Sequence, residues 1–231
     1  TPVSISGADE DRQLSLSNSM AINRGAASPD MADAMIQEYQ RRREKTAAFA
    51  EWFSIDPPFP DGIFGDANLK KGAYVNGGIM PLVGGELARA ALASGWEEYG
   101  ADILRRYFDL IRKTGESYLW YFPDGTPSSQ ETSTSPEATA TDGWGSSAML
   151  FALAEGLAGV EDRLKLFEQA VFSPRWEGAG IKEAEVRLEY AASGASAAYA
   201  YRRTRDGIRM DVDSVHHQAD FHILLPVNTG I

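Results

Sequence analysis

The stretch Gly72–Glu86, GAYVNGGIMPLVGGE, decides how the rest of the chain is read. It opens on an aromatic and an amide (Tyr74 and Asn76), crosses the Gly77-Gly78 pair, meets Pro81 and runs into an apolar segment. Glycine permits φ > 0 and close backbone approach. Proline is well placed in the first turn of a helix, where its missing N–H would have no partner anyway. The stretch therefore reads as a loop that delivers polar and aromatic groups to one end of a helix. Gly115–Asp124 (GESYLWYFPD) and Asp142–Gly145 (DGWG) follow the same pattern. Three aromatic, carboxylate-bearing loops, each joined to a helix, predict one cleft.

Outward from these loops the apolar residues recur with helical period. Leu82–Ser94 and Trp96–Lys113 read as two helices broken at Gly95, an αα-hairpin, with Trp96, Tyr99, Ile103, Tyr107 and Leu110 as the inward stripe of the second. Ser28 and Pro29 start a helix over Pro29–Lys45; Met31, Ala34, Met35 and Tyr39 recur along it, and Arg41, Arg42, Arg43 and Lys45 complement its C-terminal dipole. Ser15–Gly25 predicts a shorter helix with Leu16, Met20 and Ile22 inward. Ser146–Gly159 predicts another with Met149, Leu150, Leu153 and Leu157 inward. Phe49–Asp66 carries Pro57, Pro58 and Pro60 and reads as a long functional loop. Thr1–Asp11 reads as an extended lead-in, and Thr126–Thr141 as a polar connection.

The period then changes. Ala184, Val186, Leu188 and Tyr190 alternate with Glu183, Glu185, Arg187 and Glu189, and the alternation returns at Tyr199/Tyr201, Ile208/Met210/Val212 and Phe221/Ile223/Leu225. Period two with one polar face predicts half-buried antiparallel strands, with Gly194 and Asp206-Gly207 as hairpin turns. The expected fold is mainly α up to about residue 170 and antiparallel β from about 180. Phe172–Gly180 is the joint, giving a helical unit over 1–172 and a β unit over 173–231.

Composition bounds the function. The chain has 231 residues, 43% hydrophobic and 24% charged, in the range of a globular protein with ample core. A net charge of −11 and a pI near 4.8 argue against nucleic acid as partner, which needs a basic face, and make the Arg41–Lys45 run a solvated helix end. With no cysteine, thiolate metal sites and disulfides are excluded and the compartment stays open. No apolar run approaches the roughly 18 residues of a membrane span, so no membrane partner is expected. Phosphate-binding GxxxxGK[ST], HExxH and GxSxG patterns are missing, and no cofactor is implied. His216-His217 sit on a predicted strand, where neighbours point to opposite faces, so they are not expected to share a metal.

Taken in order, YVNGGIMP (Tyr74–Pro81), a helical hairpin, GESYLWYFPDG (Gly115–Gly125), DGWGSSAMLFALAEGLAGVE (Asp142–Glu161), SPRW (Ser173–Trp176) and the alternating strands resemble the C-terminal part of the six-hairpin glycosidases, in their rhamnosidase-like branch. The resemblance spans about Ser15 to Leu225. It implies the last hairpins of an (α/α)6 toroid followed by a small antiparallel β-sheet or sandwich. A complete toroid needs twelve helices and five or six are counted, so it implies a fragment, inactive alone, whose partner is the upstream half of its own toroid. The substrate class it implies is carbohydrate.

Glycoside hydrolysis uses two carboxylates, one a general acid and the other a base or nucleophile. In the resembling enzymes a glutamate often follows the tryptophan of a motif like ESYLWY; here that place holds Tyr121. Glu116 is then the first catalytic candidate and Asp66 the second, with Asp124 on the same loop as Glu116. Tyr74, Asn76, Trp120, Tyr121, Asp142 and Trp144 are candidate substrate-binding residues, since flat aromatic faces suit sugar C–H surfaces and amides and carboxylates bind hydroxyls. Structural readings stand beside these. Glu116 could pair with Arg112, Asp66 could turn with Gly65, and Asp124-Gly125 is an ordinary turn signature. Glu86 is favoured by the helix dipole, Trp120, Tyr121 and Trp144 could be core, and Asn76 and Asp142 could be caps. Three functions remain open: a glycoside hydrolase, a glycoside phosphorylase in which phosphate replaces the activated water, and a non-catalytic carbohydrate-binding module.

Overall fold

The computed structural model describes residues 12–129, 132, 140–214 and 218–222. The lead-in Thr1–Asp11, His216-His217, Ile223, Leu225 and most of the polar connection after Ser129 lie outside the described residues. Strand β1 (Leu14–Ser15) leads into helices α1 (Leu16–Asn23) and α2 (Pro29–Lys45). Strand β2 (Ile55–Asp56) lies in the Pro-rich stretch. Helices α3 (Pro81–Ala93), α4 (Glu97–Thr114) and α5 (Gly143–Phe151) follow. Strands β3 (Val160–Asp162), β4 (Gln169–Phe172), β5 (Glu183–Tyr190), β6 (Ala195–Arg203), β7 (Ile208–Ser214) and β8 (Gln218–Phe221) complete the order.

Local chemistry accounts for the helix ends. The Ser28 hydroxyl accepts from Met31 N at 3.3 Å and Pro29 fills the first turn of α2. Its buried face is Ala32, Ile36 and Tyr39, with Met31 51% exposed. That is a different stripe from the one read through Met31 and Ala34. The Tyr39 hydroxyl donates to Ser15 O at 2.8 Å and turns this face toward β1 and α1. Helix α3 starts at Pro81 and is buried along most of its length. It packs against α1, α4 and α5. The α3–α5 crossing is a backbone contact: a Cβ on Gly85 would lie 2.5 Å from the Ala148 carbonyl carbon, and one on Gly145 would lie 2.6 Å from Pro81 Cβ. Because α5 packs through Gly145, Met149 and Ala152, Leu150 falls on its outer side and is 62% exposed. After Phe151 the winding widens into π-helical turns over Ala152–Leu157.

The predicted partial (α/α)6 toroid of antiparallel helical hairpins is not what the chain builds. Five α-helices and three small sheets give a mixed α/β fold with no toroid of helical hairpins among the described residues. Residues 46–80 supply no α-helix; prolines 57, 58 and 60 break helical continuity, and this stretch bonds instead to the neighbouring loops. The sheets also depart from an all-antiparallel C-terminal region. Strands β5–β6–β7 form the predicted antiparallel meander. Its turns fall at Gly194 (φ 69°) and at Gly207, whose carbonyl accepts from Thr204 N at 2.8 Å. Strand β8, however, pairs parallel with β4, while β3 pairs antiparallel on the other side of β4. The Gln169 amide donates to Asp220 at 2.8 Å, and the Phe172 and Phe221 rings stack at 5.5 Å across the parallel pair.

Two apolar clusters form the interior. One holds Ile36, Tyr39, Trp52, Ile79, Leu87 and Tyr121; the other joins Leu92 and Ala101 of the helices to Phe172, Trp176 and Tyr199. Apolar packing thus runs across residue 172. Among the described residues Glu51 is the one buried carboxylate. It accepts from Tyr99 Oη at 2.7 Å and from both terminal nitrogens of Arg106 at 2.8 Å, and the Arg106 guanidinium lies 5.3 Å from the Trp52 ring centroid. Burial and the Glu51 charge push the Tyr99 hydroxyl well above its ordinary pKa, so it stays a neutral donor.

Candidate functional site

The loops at the N-terminus of α3, the C-terminus of α4 and the N-terminus of α5 are stitched together by backbone hydrogen bonds. Ile79 and Tyr121 exchange both of their N–H···O bonds at 2.8 Å. Met80 N donates to Trp52 O at 2.8 Å, which adds the Pro-rich stretch. Leu119 N donates to Ala140 O at 2.8 Å and Asp142 N to Ser117 O at 3.2 Å, which adds the third loop. Helix α4 stops at Gly115, whose φ of 79° is the left-handed C-terminal cap that favours glycine. That turn leaves Glu116 exposed at the platform edge.

The predicted site residues divide into two sets. Tyr121 is fully buried and Trp120 is 2% exposed. Their rings belong to the core under the loops and offer no face for a sugar. Burial raises the Tyr121 hydroxyl above its ordinary pKa. Asn76 is fully buried as well, and its amide is spent internally: Oδ1 accepts from Phe59 N at 2.8 Å, while Nδ2 donates to Phe59 O at 3.2 Å and Leu69 O at 2.9 Å. It ties the Pro-rich stretch to the glycine loop rather than facing a ligand. Trp120 and Tyr121 are buried because their segment is bridged to the neighbouring loops, and Asn76, buried in the glycine loop, takes backbone partners as a buried amide must.

The second set reaches solvent. Trp144 is 66% exposed and Glu116 is exposed. Tyr74, Asp66 and Asp142 are half-buried. Tyr74 holds φ at 41°, a sparsely populated conformation for a non-glycine residue. Its ring lies 6.4 Å from that of Trp120. A Cβ on Gly78 would lie 2.7 Å from Tyr74 N and O, so only glycine closes this turn. Asp142 caps α5, accepting from Trp144 N. Asp66 caps a 3₁₀ turn over Ala67–Leu69, accepting from Asn68 N at 2.8 Å. It also lines a cavity of about 390 Å³ with Asp61, Gly62, Gly65, Ala67 and Lys70. That loop abuts the Glu116 loop: the Lys70 ammonium sits 6.0 Å from the Phe122 ring centroid, and a Cβ on Gly72 would touch Pro123 Cγ at 3.1 Å.

No protein-family model matches the chain and no curated protein matches it. Among solved structures, a GH78 family rhamnosidase of Bacillus sp. GL1 aligns with a TM-score of 0.55 at 15% identity, over 90% of this chain and 19% of that one. The likeness is one of fold. The chain spans 19% of that enzyme's length.

Several contributors were not singled out from sequence. Lys70 and Phe122 bridge two loops, and Ser117 accepts from the Tyr107 hydroxyl at 2.9 Å, fixing the start of the Glu116 loop to α4. The alternation in SYLWYF was the available signal: Trp120 and Phe122 meet edge to face at 4.5 Å, as same-side residues of an extended segment do. Glu51 gave no signal, since nothing local marks a glutamate as the partner of an arginine 55 positions away.

Proposed function

We propose that the protein is carbohydrate-active and related to glycoside hydrolases, binding a glycoside across the loop platform and cleaving it by general acid/base chemistry. In this reading Glu116 activates the attacking water and Asp66, on the abutting loop, supplies the second carboxylate that protonates the leaving oxygen. Trp144 and Tyr74 give apolar surface to the sugar, and Asp142 accepts from its hydroxyls. The observation that carries the proposal is the convergence of three loops into one bonded platform, with the exposed Glu116 and the half-buried Asp66 on two adjoining loops. The fold likeness to a rhamnosidase adds support for the substrate class, and rhamnosides are the first sugars we would try.

A second reading rests on Tyr121. The position where the resemblance places a catalytic glutamate holds a fully buried tyrosine, which fits a platform that binds carbohydrate without hydrolysing it. A panel of aryl α- and β-glycosides, rhamnosides included, separates the two when run with and without inorganic phosphate. Release of aglycone that Asp66→Asn and Glu116→Gln each suppress supports hydrolysis. Phosphate-dependent release makes the chemistry phosphorolysis, and saturable binding without release leaves a binding module.

A further inference from the structure

At the opposite end of α5 from the loops, the π-helical turns, β3 and the end of β5 line an open cavity of about 310 Å³. That is the low end of small-molecule sites. Phe151, Phe167 and Tyr190 bring three aromatic rings to it, and Leu150, Val160 and Leu188 extend the apolar wall. The charged lining residues are Glu155, Asp162 and Glu189, with no lysine, arginine or histidine among them. The Phe167 and Tyr190 rings lie 5.2 Å apart, inclined at 44°. The Tyr190 hydroxyl donates to Asp162 at 2.8 Å, and Asp162 also accepts from Phe167 N at 3.1 Å, so one carboxylate fixes both aromatics. Backbone conformation is unusual here too. Leu166 and Phe167 hold φ at 60° and 56°, and π-helical turns often mark functional sites. Cations already approach the rim from outside. Arg89 pairs with Glu155 at 2.5 Å and lies 5.9 Å from the Phe151 centroid, and Arg187 pairs with Glu189 at 2.9 Å.

Aromatic faces present the negative side of their quadrupole and attract ammonium groups, most strongly where the site is dry. Carboxylates at the rim add to that field, and apolar walls favour alkyl substituents over water. We propose that this cavity binds a small organic ammonium, a quaternary or alkyl-substituted amine, with its cationic head among Phe151, Phe167 and Tyr190. An anionic ligand is disfavoured by Asp162, the lining carboxylate left over once Glu155 pairs with Arg89 and Glu189 with Arg187. A hydrated inorganic cation is disfavoured by the apolar walls. The proposal does not depend on the carbohydrate reading.

The test is calorimetric titration of the full chain with phenyltrimethylammonium and, at matched concentration, with its neutral carbon isostere tert-butylbenzene. The expected result is saturable one-to-one binding of the cation, at least about fivefold tighter than the isostere. Phe151→Ala and Tyr190→Ala should each weaken the cation about fivefold. Both side chains are well exposed (54% and 43%), so these variants keep the fold, which circular dichroism checks. Equal affinity for cation and isostere, no saturable binding, or folded variants that bind as the parent does would each overturn the proposal.

Discussion

Glu51→Gln should cost far more stability than any surface ion pair. The side chain has no exposed area, while Arg106 is 18% exposed. Oε1 receives Tyr99 Oη at 2.7 Å and Arg106 Nη2 at 2.8 Å, and Oε2 receives Arg106 Nη1 at 2.8 Å. Glutamine keeps the shape and one acceptor, but it sets an amide NH₂ against the guanidinium N–H and removes the charge that Arg106 was buried to meet. Breaking a buried pair from one side costs about 3–5 kcal/mol. Asp102 still holds Arg106 Nε at 2.8 Å, and the guanidinium keeps some solvent. Those two facts place the loss near the lower bound, about 3 kcal/mol. At about 2–4 °C per kcal/mol for a chain of this size, the melting temperature should fall by roughly 6–12 °C. Urea denaturation followed by circular dichroism measures the loss directly. Adding Arg106→Met should recover part of it, because the more buried of the two cations paired with Glu51 is then gone; the other, Arg43 at 3.6 Å, is 38% exposed and keeps its solvent. A single-variant loss below about 1 kcal/mol, the range of exposed pairs, would refute the reasoning, as would a double variant less stable than the sum of the singles.

Other expectations follow from the packing and the platform. Gly85→Ala improves helix propensity by about 1 kcal/mol, yet its Cβ would overlap Ala148 and Met149 backbone; overpacking should win and leave a net loss of about 1–2 kcal/mol in the same urea assay. Trp120→Ala should destabilise by about 3–5 kcal/mol, as removal of a buried aromatic does, whereas Trp144→Ala should change stability by less than about 0.5 kcal/mol while weakening carbohydrate binding. Hydrogen bonding from Arg41, with help from Arg42, lowers the Glu38 carboxyl from 4.5 to about 2. A depressed folded value stabilises above the unfolded value, so this contribution should be full above about pH 4.5 and lost as pH falls toward 2. An NMR titration of Glu38 whose midpoint does not rise in Arg41→Ala would contradict that cause.

What the sequence disclosed about the fold was local. Ser28-Pro29, Pro81 and Gly115 mark helix ends through capping chemistry that acts within one turn, and the structure puts the ends there or one residue away. Alternation from Glu183 to Tyr190 marks a strand for the same reason. The parallel pairing of β4 with β8 joins residues about fifty positions apart through backbone bonds that leave no periodic trace, and the order of motifs along a chain does not determine whether its helices close into a ring of hairpins. At the loops, the sequence located the platform because glycine, proline and aromatic clusters announce loops at helix ends. It misjudged which aromatics face outward. Trp120, Tyr121 and Trp144 have the same composition around them, and only the crossing of residues 118–122 under two other segments buries the first two.

The central claim, that the loop platform turns over a glycoside through Glu116, is tested most directly by comparing Glu116→Gln with the parent protein on one cleavable glycoside, with kcat and binding affinity measured separately. Glu116 is exposed and its side chain supports no described element, so the variant should fold normally. The account predicts kcat lower by at least about a hundredfold with affinity within about threefold, as for a group acting mainly in the transition state. Unchanged kcat, or a loss carried wholly by affinity, would contradict it.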